Sequence, residues 1–201
     1  MSKDDAKLEA WEILEETERQ DHKIFQLYKR KAAHPDLPQP HDFVIVACPD
    51  WVNLIALTPT QEAILVRQYR HGTAKISLEI PGGMVDPGEE PFATAVREMR
   101  EETGYTCKQW YLLGVVEPNP AFQTNRCWTF LGLDACLTHP QALDGSEMID
   151  VEVAPLTTLP LRIASGEITH SLVIAAFFHY LERFGGWFPP SPQALAALSA
   201  L

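Results

Sequence analysis

The chain has 201 residues, of which 46% are hydrophobic and 21% charged, and this balance excludes wholesale disorder, coiled coil and collagen-like structure. Its 16 lysines and arginines stand against 27 aspartates and glutamates, giving a net charge of −11 that argues against a nucleic-acid binder. The length fits one ordinary domain with a small appended element.

Residues 1–40 are polar and end in the proline-rich stretch HPDLPQPHD. They are too short to enclose a core and predict an N-terminal arm, with residues 41–201 forming the main domain. Trp11, Phe25 and Tyr28 lie on this polar stretch, so the arm is expected to dock on a second copy of the chain or on its own subunit.

Two groups of β-rich runs follow, on either side of a central charged segment. Residues 43–48, 52–57 and 63–69 predict antiparallel strands that begin a sheet; residues 111–116, 127–133 and 149–156 predict a second group of strands. The apolar stretch 170–184 ends at two glycines and predicts a packed helix. The expected core is mixed α/β.

The cysteines and the termini bear on the cellular compartment. Cys48, Cys107, Cys127 and Cys136 lie far apart without a CxxC pair, which favours free thiols over a zinc site. The first twenty residues are rich in charged side chains where a signal peptide would be apolar. No run in the chain approaches the roughly 20 apolar residues of a membrane span. The sequence predicts a cytoplasmic protein without membrane contact.

The central segment 81–105 predicts a glycine-rich loop followed by a helix that begins at Pro91 and ends before Gly104. Glu98, Glu101 and Glu102 share one stripe of this helix, where like charges repel one another unless a cation neutralises them. A hard divalent ion suits such carboxylates and phosphate chemistry. A solvated acidic face is the alternative.

The spacing of this segment resembles the conserved box of the Nudix hydrolases, with Tyr105 as its one departure. The matching positions are Gly83, Glu89, Arg97, Glu98, Glu101, Glu102 and Gly104. The resemblance implies an α/β/α sandwich with a mixed sheet and hydrolysis of a nucleoside diphosphate linked to another group.

The resemblance also implies roles for individual residues. Glu98, Glu101, Glu102 and the Gly82 carbonyl are expected to hold Mg²⁺, with Mn²⁺ as the second choice, and Arg97 to orient the glutamates. Glu89 is expected to be a secondary carboxylate.

The flanks of the box, VRQYRHG (66–72), LEIPGG (78–83) and Pro120, are similar to the branch that cleaves ADP-ribose and nucleoside diphosphate sugars. The similarity implies substrate contacts from Arg67 or Arg70 and from Glu79, although an Arg70–Glu79 salt bridge is an alternative. Trp51 is a candidate for stacking on a base, with core or dimer packing as its alternative.

A general base in this branch is commonly a glutamate in a late loop, and Glu147 is the first candidate. Asp144, Asp150 and Glu152 compete with it. Members of the branch are usually homodimers in which the arm helps to build the nucleotide pocket.

The sequence thus predicts a Mg²⁺-dependent hydrolase of ADP-ribose or another nucleotide sugar. Hydrolysis of other dinucleotides or nucleoside triphosphates, and a non-catalytic nucleotide-sugar sensor, are the alternatives. His71 and His170 receive no role.

Overall fold

A computed structural model describes residues 9–198, which form two compact units. One comprises the described residues up to Pro49 together with Glu117–Asn125; the other comprises Asp50–Val116 and the residues from Arg126 onward. The first unit thus includes residues 41–49 as well as the described part of the predicted arm, and the domain division at residue 40 stays a prediction. Residues 1–8 of the predicted arm lie outside the described residues.

The first unit contains a four-stranded antiparallel sheet. Its strands are β1 (Glu12–Glu16), β2 (Gln20–Asp21), β3 (Gln26–Ala33) and β4 (His41–Ala47). The other three strands all pair with β3, and β4 pairs with it from Gln26↔Ala47 to Ala32↔His41. The expectation that residues 43–48 share a sheet with residues 52–57 is therefore wrong: β4 pairs with β3 on one edge, and on its other edge the Val46 N–H donates to the Phe122 carbonyl at 2.8 Å.

The second unit contains a seven-stranded mixed sheet. Its strands are β5 (Trp51–Leu57), β6 (Glu62–Arg70), β7 (Lys75–Glu79), β8 (Gly82–Met84), β10 (Gln109–Val116), β11 (Cys127–Leu133) and β13 (Ile149–Pro155). Strands β10, β11, β5, β6 and β13 follow one another across the sheet, with β7 on β6 and β8 on β5. Strand β11 runs parallel to β5. Two short strands, β9 (Tyr105–Thr106) and β12 (Cys136–Leu137), pair separately.

Helices cover both faces of this sheet. They are α1 (Pro91–Thr103), α2 (Leu159–Ala164), α3 (Ser171–Phe184) and α4 (Pro192–Ala196). Successive side chains of β5 point to opposite faces, so Leu54 and Ala56 belong to the cluster of Met99 on α1. Ile55 and Leu57 belong to the cluster of Phe177 on α3. The predicted α/β/α sandwich is confirmed.

The ends of the two long helices follow the sequence signals. Helix α1 begins at Pro91 and ends at Gly104, which is left-handed at φ 75° and donates its N–H to the Arg100 carbonyl at 2.8 Å. Helix α3 ends in the same way at Gly185, with φ 71°. None of the helices described between residues 9 and 198 is long and apolar enough to span a membrane.

Candidate active site

Strand β8 brings two glycines against helix α1. The Gly82 N–H donates a hydrogen bond of 2.9 Å to Glu102 Oε2. A Cβ added at Gly82 would overlap the Val52 carbonyl, and one added at Gly83 would overlap the Glu98 carboxyl group. The close approach of β8 to β5 therefore requires glycine at Gly82, and the absence of a Cβ at Gly83 leaves room for the Glu98 carboxyl group beside the strand.

Arg97 joins three carboxylates on and beside α1. Its Nη1 donates to Glu98 Oε1 at 2.9 Å and to Glu101 Oε2 at 3.1 Å. Its Nε and Nη2 donate to the two oxygens of Glu89 at 3.2 and 2.9 Å. Hydrogen bonds from Arg97 and Thr94 lower the pKa of Glu89 to about 2. This geometry agrees with an orienting role for Arg97.

Arg97→Lys is expected to lower kcat/KM by about 10- to 100-fold, because an ammonium group lacks the planar fork that joins the three carboxylates. The free energy of unfolding should change by less than about 1 kcal/mol, since the pairs are partly exposed. Steady-state kinetics and urea unfolding measure both effects. Arg100→Lys is the matched control, because Arg100 is half-exposed and lies 3.6 Å from Glu101. An unchanged kcat/KM for Arg97→Lys would contradict the orienting role.

Glu102 is the most deeply placed acid of the cluster, with 4% of its surface exposed. Burial raises its pKa to about 8, and the charges of Glu98 and Glu147 add to this effect against the Gly82 N–H and Arg70. Burial also raises the pKa of Glu98, opposed by Arg97 and increased by Glu147 and Glu101. Negative charge is thus concentrated here beyond what Arg97 neutralises.

The donors in this cluster fit a divalent cation. In the part of the chain between residues 9 and 198, no three histidine, cysteine or carboxylate side chains converge closely enough to enclose an ion as they stand. The oxygens are nevertheless of the hard type that Mg²⁺ and Mn²⁺ bind, and the buried Glu102 is repelled by two neighbouring acids. A divalent cation would offset that repulsion, so the metal ligands remain a prediction that the charges support.

A cavity of about 240 Å³ adjoins the two glycines. It is lined by Trp51, Val52, Asn53, Arg70, Glu79, Ile80, Gly82, Gly83, Met84 and His170. Three of the predicted substrate contacts, Trp51, Arg70 and Glu79, therefore lie around one space beside the carboxylate cluster.

Arg70 and Glu79 form a bidentate pair at this cavity. Arg70 Nε and Nη2 donate to the two Glu79 oxygens at 2.9 and 2.7 Å. Burial alone would raise the pKa of Glu79, but the hydrogen bond and charge of Arg70 outweigh it and lower the pKa. The Glu79 side chain is 3% exposed and that of Arg70 is 43% exposed. The salt-bridge alternative is present, and it holds Arg70 at the cavity wall.

Arg67 and Pro120 lie elsewhere. Arg67 donates to Glu152 at 3.0 Å and to Glu167 at 2.6 Å, in an ion-pair cluster that also contains Arg162. Pro120 belongs to the first unit, where it lines a cavity of about 310 Å³. The structure thus places Arg70, and not Arg67, at the cavity beside the glycines.

Glu147 lies in the exposed turn before β13. Its N–H donates to the Asp144 carbonyl at 2.8 Å, and its carboxylate accepts from the Asp144 N–H at 3.1 Å. Its charge is close enough to raise the pKa of both Glu98 and Glu102. Among the competing acids, Glu152 is held by Arg67 and Arg162. This placement keeps Glu147 as the first candidate for the general base.

Two further polar residues at the cavity, Asn53 and His170, carry no signal in the sequence. Asn53 on β5 donates through Nδ2 to the Leu172 carbonyl at 3.0 Å and so ties the start of α3 to the sheet. His170 immediately precedes α3 and lines the cavity. Both lie far from the box in sequence, and neither carries a local motif.

Comparison with known proteins matches residues 49–177 to the NUDIX domain. The chain is 33% identical to an ADP-ribose pyrophosphatase of Bacillus subtilis (strain 168), over 62% of this chain and 68% of that protein. It is 36% identical to a methanol dehydrogenase activator of Bacillus methanolicus, over 53% of this chain and 58% of that protein. A crystal structure of an ADP compounds hydrolase superposes with a TM-score of 0.78 at 19% identity, over 89% of this chain and 96% of that one.

Proposed function

The chain belongs to the NUDIX family, and from this premise we propose that it hydrolyses the pyrophosphate bond of ADP-ribose or a related nucleoside diphosphate sugar. The products are a nucleoside monophosphate and a sugar phosphate. The observation that carries the proposal is the carboxylate cluster of α1, held against Gly82 and Gly83 beside a cavity that Arg70 lines. The names of the Bacillus subtilis relative and of the similar structure agree with this substrate class.

Nudix hydrolases generally use a divalent metal, and here we assign Mg²⁺, with Mn²⁺ as the alternative, to Glu98, Glu101, Glu102 and the Gly82 carbonyl. A bound cation supplies positive charge to the diphosphate while water attacks phosphorus. The raised pKa values of Glu98 and Glu102 support this assignment: burial is their main cause, neighbouring acids add to it, and a bound cation would offset both effects.

The remaining roles fall to side chains around the cavity. Arg97 fixes the orientation of the glutamates, and Arg70 pairs with the diphosphate through the exposed part of its guanidinium. Trp51 offers a ring for stacking, and Glu79 holds Arg70 in place. Glu147 takes the proton of the attacking water, supported by its exposure and its nearness to Glu98 and Glu102.

Glu147→Gln is expected to lower kcat by about 10²- to 10⁴-fold with little change in KM, because an amide cannot accept the proton from water. Asp150→Asn, an exposed acid on the adjoining strand, is the matched control. If kcat falls in Asp150→Asn and does not fall in Glu147→Gln, the general base is Asp150 and not Glu147.

We also propose a homodimer in which the first unit contributes to the nucleotide pocket. The cavity of that unit is lined by Trp11, Phe43, Pro120 and Phe122, and Trp11 is 40% exposed. Exposed aromatic rings in this number favour a partner surface. Light scattering tests the dimer, and Trp11→Ala is expected to weaken it.

A cytoplasmic location is proposed because the four cysteines are free thiols, and disulfide bonds are rare in the reducing cytosol.

A substrate panel tests the substrate class. Incubation with Mg²⁺ and ADP-ribose, ADP-glucose, GDP-mannose, UDP-glucose, a dinucleoside polyphosphate or nucleoside triphosphates is followed by product analysis. Release of nucleoside monophosphate and sugar phosphate from one or more sugars is expected. If triphosphates or dinucleotides are cut and nucleotide sugars are not, the substrate class is wrong.

A further inference from the structure

A second cavity of about 740 Å³ lies in the same unit as the carboxylate cluster. Arg70 and His170 line both this cavity and the one beside the glycines, so the two spaces meet at these side chains. The other residues that line the second cavity include Ser77, Thr169 and Ser171, which carry hydroxyl groups, and the charged Lys75 and Glu167. Both cavities have polar and apolar lining residues, and serine and threonine residues are among those of the second cavity alone.

His170 has an unused hydrogen-bonding atom at this junction. Its Nδ1 is buried and has no hydrogen-bond partner among residues 9–198. Buried polar atoms are normally paired, so an orphaned ring nitrogen at a cavity wall points to a partner outside the chain. The Asn53 hydrogen bond to the Leu172 carbonyl holds the backbone next to the ring in place. The atom is thus unpaired at a position where the adjoining backbone is held by a hydrogen bond.

The chemistry at this point favours a hydroxyl group as the partner. Burial lowers the pKa of His170, with the Glu79 charge opposing and the Arg70 charge adding, which favours the neutral form of the ring. A neutral imidazole has one donor and one acceptor nitrogen, which matches a hydroxyl group. The neighbouring serine and threonine side chains have the same dual character.

We propose that His170 is a specificity-determining residue that hydrogen-bonds a hydroxyl group of the terminal sugar, which lies in the hydroxyl-lined cavity on the far side of Arg70. The inference rests on the proposed function, because it takes the ligand to be a nucleoside diphosphate sugar. It extends that function in two ways: the second cavity binds the sugar end of the ligand, and His170 recognises that sugar by a hydrogen bond. Arg70, at the junction, then lies between the two halves of the substrate.

Two substrates that differ in the terminal sugar test this assignment. They are ADP-ribose and methyl-ADP, the diphosphate ester in which a methyl group replaces the sugar. His170→Ala is expected to lower the ratio of kcat/KM for ADP-ribose over methyl-ADP roughly tenfold, the loss of one hydrogen bond. His170→Asn should retain part of the ratio, because its amide reaches the position of Nδ1.

His179→Ala is the matched control, since His179 lies on α3 and also has a buried, unpaired ring nitrogen among the described residues. It should leave the ratio unchanged. Calorimetry in EDTA, where no turnover is expected, measures the dissociation constants of ADP-ribose and methyl-ADP. The ratio of these two constants tests the same discrimination without catalysis. The inference is overturned if His170→Ala has the same ratio of kcat/KM for ADP-ribose over methyl-ADP as the wild type. This holds whether kcat/KM falls equally for both substrates or falls for neither. Absence of hydrolysis by wild type overturns the proposed function instead, and the binding ratio still decides the role of His170.

Discussion

Glu102→Gln is expected to lower kcat by roughly 100-fold or more, since the cation proposed to bind Glu102 would contribute several kcal/mol of charge stabilisation. The fold should be retained, because the glutamine Oε1 can accept the Gly82 N–H in place of Glu102 Oε2. Nucleotide binding in EDTA should also be retained. A non-catalytic sensor would instead show no turnover in the wild type, so the same variant separates an enzyme from a binding module.

The same substitution is expected to change the pH dependence of stability. The folded pKa of Glu102 is about 8 against an ordinary value of 4.5, so between these pH values the folded state keeps a proton that the unfolded state has released. The free energy of unfolding of the wild type therefore falls as pH rises through this window. Glutamine carries no charge, and the variant should be more stable than wild type at pH 8 by on the order of 2–4 kcal/mol.

Urea unfolding in EDTA at pH 5 and pH 8 measures this difference. At pH 5 the wild-type carboxyl group of Glu102 is largely protonated in the folded state, so the two proteins should be nearly equal in stability. Mg²⁺ at pH 8 should stabilise the wild type more than the variant, because bound cation offsets the buried charge. A variant whose stability advantage is the same at both pH values would contradict the raised pKa.

Gly83→Ala is expected to lower kcat about 10- to 100-fold while the free energy of unfolding changes by less than about 1 kcal/mol. The new Cβ overlaps the end of the Glu98 side chain, which can move aside, but the carboxylate then leaves its position beside Arg97. Activity should fall because the cluster is displaced, and the strand should remain intact.

Gly82→Ala gives the matched contrast. Its Cβ would overlap the Val52 carbonyl, a backbone atom of β5 that cannot rotate away. We expect the free energy of unfolding to fall by about 1–3 kcal/mol, as for other overpacked positions. Kinetics and urea unfolding of both variants separate the two effects. A Gly83→Ala variant that loses stability but keeps its kcat would contradict this explanation. The position of the Glu98 carboxylate would then not depend on the absence of a side chain at Gly83.

Local sequence signals were sufficient for the catalytic helix. Pro91, Gly104 and the stripe of glutamates are all features of one continuous segment, and the structure has the helix within those bounds. Strand β4 could not be assigned to its sheet in the same way. Its partner β3 reads QLYKRKAA, in which charged residues obscure the alternation that identifies a strand.

Contacts between distant residues explain the rest of the site. The sequence offered Arg67 and Arg70 as equal candidates, and the ion pairs of Arg67 with Glu152 and Glu167 follow from the pairing of β6 with β13 and the position of the turn after α2. His170 lies far along the chain from the box, and its place at the cavity depends on how α3 packs on the sheet. Such contacts are properties of the tertiary structure and leave no local pattern.

The most direct test of the account is release of AMP from ADP-ribose by the purified protein, measured with Mg²⁺ and with EDTA, for wild type and Glu102→Gln. We expect AMP and ribose 5-phosphate in equal amounts from the wild type with Mg²⁺ and loss of the reaction in EDTA. The variant should react at least roughly 100-fold more slowly. AMP release by the wild type that is equally fast in EDTA, or equally fast in Glu102→Gln, would contradict it.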